Sequence, residues 1–395
     1  MAETHPAGYA VVHVEHDDNN AEVDEGGLRH VYLPLKTLRG KTDRIELDSF
    51  YPFLAFMANY CHIHPDVPPH FALQYPIVND VSLDDTCIQF SDGRRAKRVI
   101  VDDTVSANLP AMAADHKRWF AKARSDSVAS KLWQRIVQED YALPIVTSVA
   151  IAILAEMYTT TSGTGSAGRR VRLKYKSSPI ADFGIAKGAA DVKGQDCLSY
   201  LRLSNNSVVH GQNPAEHYWL WFKTIRGEEL ELDFSMFTFN FGLMVHLKDF
   251  LPPELYNLLE FAPVYYKERD TRKNTPPLHA EKSRLSVLRD PDLHRAVVHS
   301  YDTFSEHDIG LVVAFMERLA GRKMRPVERH LTGVFSSMGC RFIGMNLQAR
   351  WWAKYPTTVS PSVWADPGEL DDFDDPNTPW AQSMRDFQRR RRHRS

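Results

Sequence analysis

His217-Tyr-Trp-Leu-Trp-Phe-Lys-Thr-Ile-Arg-Gly-Glu-Glu-Leu-Glu-Leu-Asp233-Phe-Ser-Met-Phe-Thr-Phe-Asn240 is the stretch on which the reading of this chain turns. It divides into two apolar-rich halves, residues 217–225 and 229–237, around Arg226-Gly227, and the glycine marks a turn. In the second half Leu230, Leu232 and Phe234 stand two residues apart, so they share one face of a strand. Glu229, Glu231 and Asp233 alternate with them and take the other face. The pattern predicts an antiparallel hairpin with at least two of the three apolar side chains in the core. The acidic face is expected to be the wetter one, with Asp233 solvated or hydrogen-bonded, because burying an unpaired carboxylate costs several kcal/mol.

Three registers are open. A two-residue turn at Arg226-Gly227 sets Leu220 opposite Asp233 and sends His217 to the other face. A three-residue loop sets Lys223 opposite Glu231 and Trp221 opposite Asp233, with His217 on the face of Asp233 but two pairs along. A turn centred on Ile225 puts His217 directly across from Asp233, and the glycine argues against it.

Outward from the hairpin, residues 45–60 carry Leu47, Phe50, Tyr51, Leu54 and Met57 at helical spacing. Residues 87–90 and 99–101 flank Ser91-Asp92-Gly93 as a second hairpin. Residues 115–139 and 143–158 read as helices, the later one buried; the apolar stretch 142–155, which includes Pro144, Thr147 and Ser148, is too short to span a bilayer. Strands are expected at 171–175 and 197–203. From Pro252 on the chain reads as helical. Ser305 with Asp308 makes a capping box, Gly321 ends that helix, and Pro326 opens the next, which runs toward Trp351 and Trp352. From Pro356 the pattern dissolves into an acidic block, residues 366–375, and a basic one, Arg389 to Arg394; such blocks bury little and stay solvated.

Hydrophobic residues make up 43% of the 395 and charged ones 25%, which suffices for a sizeable core. The net charge of −2 excludes binding nucleic acid with the whole surface and leaves only the basic tail for it. The four cysteines, Cys61, Cys87, Cys197 and Cys340, are scattered without a CxxC pair, so neither a thiolate zinc site nor a disulfide framework is expected. The polar residues 1–10 lack a signal core, which points to the cytoplasm or nucleus and to no membrane.

Other motifs carry less. Gly163-Thr-Gly165-Ser-Ala-Gly168 fits the dinucleotide fingerprint but follows a helix and precedes a strand, the reverse of what a pyrophosphate requires. Cys61, His62, His64 and His70 are metal-capable but sit among Pro65, Pro68 and Pro69, so no ligand set, metal or other cofactor is assigned. Residues 180–187, Ile-Ala-Asp-Phe-Gly-Ile-Ala-Lys, resemble the DFG segment of protein kinases; with no catalytic loop upstream, Asp182 takes no role from it.

A histidine opens the first strand of the hairpin, an aspartate closes the next, and Cys197 lies upstream. The order Cys197, His217, Asp233, over about 40 residues, resembles transglutaminase-like cysteine enzymes. The resemblance implies a thiolate that attacks an acyl group, an imidazole that takes the proton and a carboxylate that orients the ring. The chain departs from that pattern at the nucleophile, since Cys197 begins a strand rather than a helix. The hairpin with the following Met236-Phe-Thr-Phe-Asn240 is also similar, over about 30 residues, to uncharacterised proteins of mushroom-forming (basidiomycete) fungi, a likeness that implies no activity. That likeness implies a MYND-type zinc finger in related chains, which the cysteine spacing here excludes.

The expected fold is therefore α+β: a central antiparallel sheet, a β/α N-terminal portion and a helical C-terminal half. The portions expected are 1–110, 111–260, 261–355 and a charged tail at 356–395. The expected function is that of an intracellular interaction or regulatory protein, with protein as the partner. A cysteine-dependent acyl transferase or hydrolase built on Cys197, His217 and Asp233 is the alternative. The two separate on whether Cys197 lies in a pocket beside His217 or whether the surface instead shows an exposed aromatic patch, with Trp351 and Trp352 as candidates.

Overall fold

The computed structural model describes residues 9–13, 22–23, 29–34, 44–81, 87–89, 93, 95–159, 171–193, 196–267, 278–298 and 304–364. The glycine-rich motif at 163–168 and the charged residues beyond 364 lie outside these residues.

Strands β1 (Tyr9–His13), β2 (Glu22–Val23) and β3 (Arg29–Pro34) form a small antiparallel sheet in the order β1-β3-β2. β4 (Arg44–Glu46) runs directly into α1 (Leu47–His62), whose periodic Phe50, Leu54 and Met57 are buried. β5 (Cys87–Gln89) and β6 (Arg95–Val101) form a hairpin, but β5 pairs with residues 95–97, and the expected partner residues 99–101 pair instead with residues 200–202. Helices α2 (Leu109–Ala114), α3 (His116–Trp119) and α4 (Asp126–Val137) follow, α4 started by Ser125, whose Oγ accepts the Val128 N–H. Every residue of α5 (Ala142–Ile153) is buried, as a helix apolar on all sides requires.

β7 (Arg172–Tyr175), β8 (Ser178–Ala190), β9 (Leu198–Arg202), β10 (Val208–His210), β11 (His217–Thr224) and β12 (Glu229–Asp233) come next. The kinase-like residues 180–187 are the middle of β8. Asp182 there accepts a hydrogen bond from Ser286 and pairs with Arg289, a structural role. The hairpin's second strand is shorter than the expected 229–237: it ends at Asp233, and Met236–Phe239 coil into a 3-10 turn closed by Asn240 in the left-handed region.

The helical reading from Pro252 needs correction. β13 (Leu243–His246) is followed by β14 (Phe261–Pro263), β15 (Tyr265–Lys267) and β16 (His279–Ser286), and only then by α6 (Pro291–Val298), α7 (Glu306–Ala320) and α8 (Pro326–Ala349). These strands pair with β13, β12 and β8, distant in sequence, so no local pattern announces them. β17 (Pro361–Val363) likewise pairs with β13, beyond the point where the pattern dissolves. The capping box, the glycine stop and the Pro326 start stand as expected.

The main sheet has seven strands in the order β15-β12-β11-β8-β7-β4, with β16 also paired to β8. It draws on residues 44–46 as well as 279–286, so one sheet takes strands from three of the portions read from the sequence. One face buries Phe183, Ile185, Leu220, Phe222, Leu230 and Leu232 against α1 and α5. α8 packs on α5 behind them, where Gly339 lets the helices approach: a Cβ there would sit 3.1 Å from that of Ala152. A second core, around Trp119, Phe120, Leu132, Val99 and Tyr200, joins α3 and α4 to the four-stranded sheet β10-β9-β6-β5. The fold is α+β. No single helix among the described residues is long and apolar enough to cross a membrane. Residues 126–137 and 142–158 reach the required length only as a pair bent by 73°.

Candidate functional site: a buried His-Asp-His cluster

The opposite face of the main sheet holds the chemistry. The β11–β12 hairpin closes through Ile225, Arg226 and Gly227, with Gly227 at φ +80 and the Gly227 N–H bonded to the Thr224 carbonyl 2.9 Å away. Leu220 therefore pairs with Leu232 and Trp221 with Glu231. That register lies one pair from the two-residue turn and two from each of the other options. It puts His217, Trp219, Trp221, Glu231 and Asp233 on one face, with His217 diagonal to Asp233. Leu230, Leu232 and Phe234 are all in the core, as the spacing predicts. The acidic face is not the wet one: Glu231 is 6% exposed and Asp233 fully buried.

Burial comes from β16. Its partner β8 presents Gly184, Ala186 and Gly188 opposite Trp221, Trp219 and His217. A Cβ on Gly184 would lie 2.0 Å from the Leu285 carbonyl oxygen, and one on Gly188 2.2 Å from that of Ala280 and 2.8 Å from the Trp219 ring. Only hydrogen at these two positions lets β16 curl onto the face. The curl brings the ring of His279 parallel to Trp219, centroids 4.4 Å apart at 15°.

Asp233 is the hub. Its Oδ2 accepts from His217 Nε2 at 2.5 Å and from His279 Nε2 at 2.7 Å, and its Oδ1 accepts the Ser235 N–H at 2.8 Å. His279 Nδ1 faces Glu231 Oε2 at 3.4 Å, and Glu231 in turn pairs with Lys267 at 4.0 Å. Nδ1 of His217 is buried with no hydrogen-bond partner, and the ring is met edge-on by Phe239 at 5.6 Å. The Nε1 atoms of Trp219 and Trp221 are buried without partners too.

Burial alone would raise the Asp233 carboxyl, but the two imidazoles more than offset it and hold the group well below the usual carboxylate range. Burial alone would likewise lower His279. Its hydrogen bonds to Asp233 and Glu231 outweigh that and push it up to about 9. At neutral pH the cluster thus contains an aspartate and an imidazolium, both shut away from water. Nε2 of His217, Oδ2 of Asp233 and Nε2 of His279 converge so closely that the donor atoms of the three residues all lie within 4.8 Å of one another.

The sequence named two of these three residues. His279 escaped it, as did the supporting roles of Glu231 and Lys267. The nucleophile does not join them. Cys197 sits in the bend before β9, half-buried beside the Met236, Phe239 and Tyr265 cluster, and no hydrogen bond links it to His217. The metal-capable run near the α1 C-terminus also disperses. His64 accepts the Asp66 N–H and packs its ring on Phe335, while His70 accepts the Ala72 N–H and lies 3.7 Å from Glu139. Among the described residues the His217, Asp233 and His279 group is the one whose donor atoms meet. Trp351 and Trp352 are half-buried against the main core and form no exposed aromatic patch.

No family model, no curated protein and no solved structure matches this chain.

Proposed function

We propose that this chain is a non-catalytic interaction or regulatory protein of the cell interior, and that the His217–Asp233 pair serves architecture rather than turnover. One observation carries the reading: both side chains are 0% exposed, and Asp233 divides one oxygen between two histidines. A general base must reach a substrate proton. Here the ring is sealed beneath β16, and its second nitrogen meets no nucleophile. A carboxylate with both oxygens engaged by three elements of the fold ties β11, β12 and β16 into one rigid unit, a scaffold on which a binding surface can be displayed.

The acyl transferase or hydrolase reading keeps one observation in its favour, the 2.5 Å contact between His217 and Asp233. Thiol reactivity separates the two. In the native chain the alkylation rate of Cys197 is expected to be the same in wild type and in Asp233→Asn, and cross-linking in the native cell is expected to return a protein partner in fixed stoichiometry. Alkylation of Cys197 that depends on Asp233, together with acyl-transfer activity lost in Cys197→Ala, would replace the proposal with the enzyme.

A further inference from the structure

We infer that His217, Asp233 and His279 form a binding site for one divalent transition-metal ion of the zinc class. Two imidazole nitrogens and one carboxylate oxygen are the donor set such ions take, whereas calcium and magnesium prefer all-oxygen surroundings. The three donors come from three strands, β11, β12 and β16, so no local helical or loop pattern produces the meeting by chance of spacing.

The surroundings are those of a built site. His279 Nδ1 faces Glu231, an arrangement that fixes the ring and turns Nε2 inward, as carboxylate–histidine–metal triads do. Asp233 Oδ1 is held by the Ser235 N–H, which leaves Oδ2 to point at the two rings. Trp219 stacked on His279 and Phe239 against His217 restrict both imidazoles, so donor directions are set before any ion arrives. Metal bonds of about 2.0–2.1 Å in a tetrahedron place donor atoms roughly 3.3 Å apart. The observed 2.5 and 2.7 Å are the spacings of proton-bridged contacts, so loading exchanges the bridging protons for the ion and moves each side chain by less than about 1 Å. Three protein donors leave the fourth position to a water molecule. Because the site is enclosed, the ion's task is to lock the curl of β16 onto the sheet, which is consistent with a scaffold and requires no reaction.

The test is equilibrium dialysis of the EDTA-stripped full chain against Zn2+ alone, with bound metal counted by mass spectrometry. One ion per chain is expected, together with a higher thermal midpoint on loading. Asp233→Asn and His279→Gln are expected to abolish the stoichiometric binding, and Glu231→Gln to weaken it about 10–100-fold. His64→Ala with His70→Ala is expected to leave it intact. Should Asp233→Asn or His279→Gln fail to fold, X-ray absorption of the loaded wild type decides: two imidazoles in the first shell support the site, and a shell without imidazole overturns it. No saturable ion in the wild type, or one that survives Asp233→Asn in a folded chain, shows that the cluster is a proton-bridged network alone.

Discussion

Replacing Asp233 by asparagine keeps the shape of the hub and removes the charge that both imidazoles share. His279 is raised from 6.5 to about 9 because its hydrogen bonds to Asp233 and Glu231 outweigh burial and favour the charged form. At 1.36 kcal/mol per unit this corresponds to about 3 kcal/mol. The His279 side chain is 2% exposed and that of Asp233 0%, so solvent screens little of it. Glu231 shares part of the effect. Against that, an imidazolium left without its main partner must be buried or discharged, and breaking a buried pair typically costs about 3–5 kcal/mol. A loss of about 3 kcal/mol follows for Asp233→Asn. The dependence on pH is as informative as the size. A cation whose folded value is raised contributes fully below its unfolded value of 6.5, and the contribution disappears as pH rises through about 9. Asp233 itself, held low, contributes above its ordinary 3.8 and loses that contribution in acid. Urea unfolding in EDTA, followed by the fluorescence of tryptophans that include Trp219 on the His279 ring, should therefore show a wild type that weakens between pH 6.5 and 9 and a variant that is weaker and flatter there. A loss under about 1 kcal/mol, or an unchanged slope between those pH values, would show that Asp233 does not hold His279 in its charged form.

Two further outcomes follow from the packing. Gly188→Val places a side chain where the Ala280 carbonyl oxygen lies, 2.2 Å from the new Cβ. β16 must then lift, at a cost of about 3 kcal/mol by urea unfolding, and the pH 6.5–9 slope should vanish with it; a silent substitution would contradict the closure of β16. Burial pushes the Glu139 carboxyl up to about 8 from 4.5. A raised carboxyl favours the folded state fully below 4.5 and loses that preference as pH climbs toward 8. Glu139→Gln should thus be more stable than wild type at pH 7 relative to pH 4.5, by about 3 kcal/mol, and equal pH profiles would contradict it.

What could be read from the residues was the local grammar. Alternation in residues 229–234 fixed which side chains meet the core, and Ser305, Gly321 and Pro326 marked helix ends by their capping chemistry. What could not be read was decided at a distance. The register hung on whether Gly227 closed a loop of two or three residues, and a shift of one pair decides whether His217 can reach Asp233 at all. His279 stands 46 residues beyond Asp233 in a charged stretch that reads as helix, and its position is set by pairing with β8. The signal for that pairing was present in Gly184, Ala186 and Gly188, three small residues on one strand face, but it coincided with the kinase-like motif, and without the β16 backbone in view nothing said what the missing side chains made room for.

Nitrogen NMR of the histidine rings in the EDTA-stripped chain reads the charge of the buried cluster directly. The His279 ring, identified by the signal missing from His279→Gln, is expected to keep both nitrogens protonated at pH 7 and to give up its proton near pH 9, with both features lost in Asp233→Asn. If the His279 ring in the folded chain titrates at or below the ordinary 6.5, the buried aspartate–imidazolium pair does not exist.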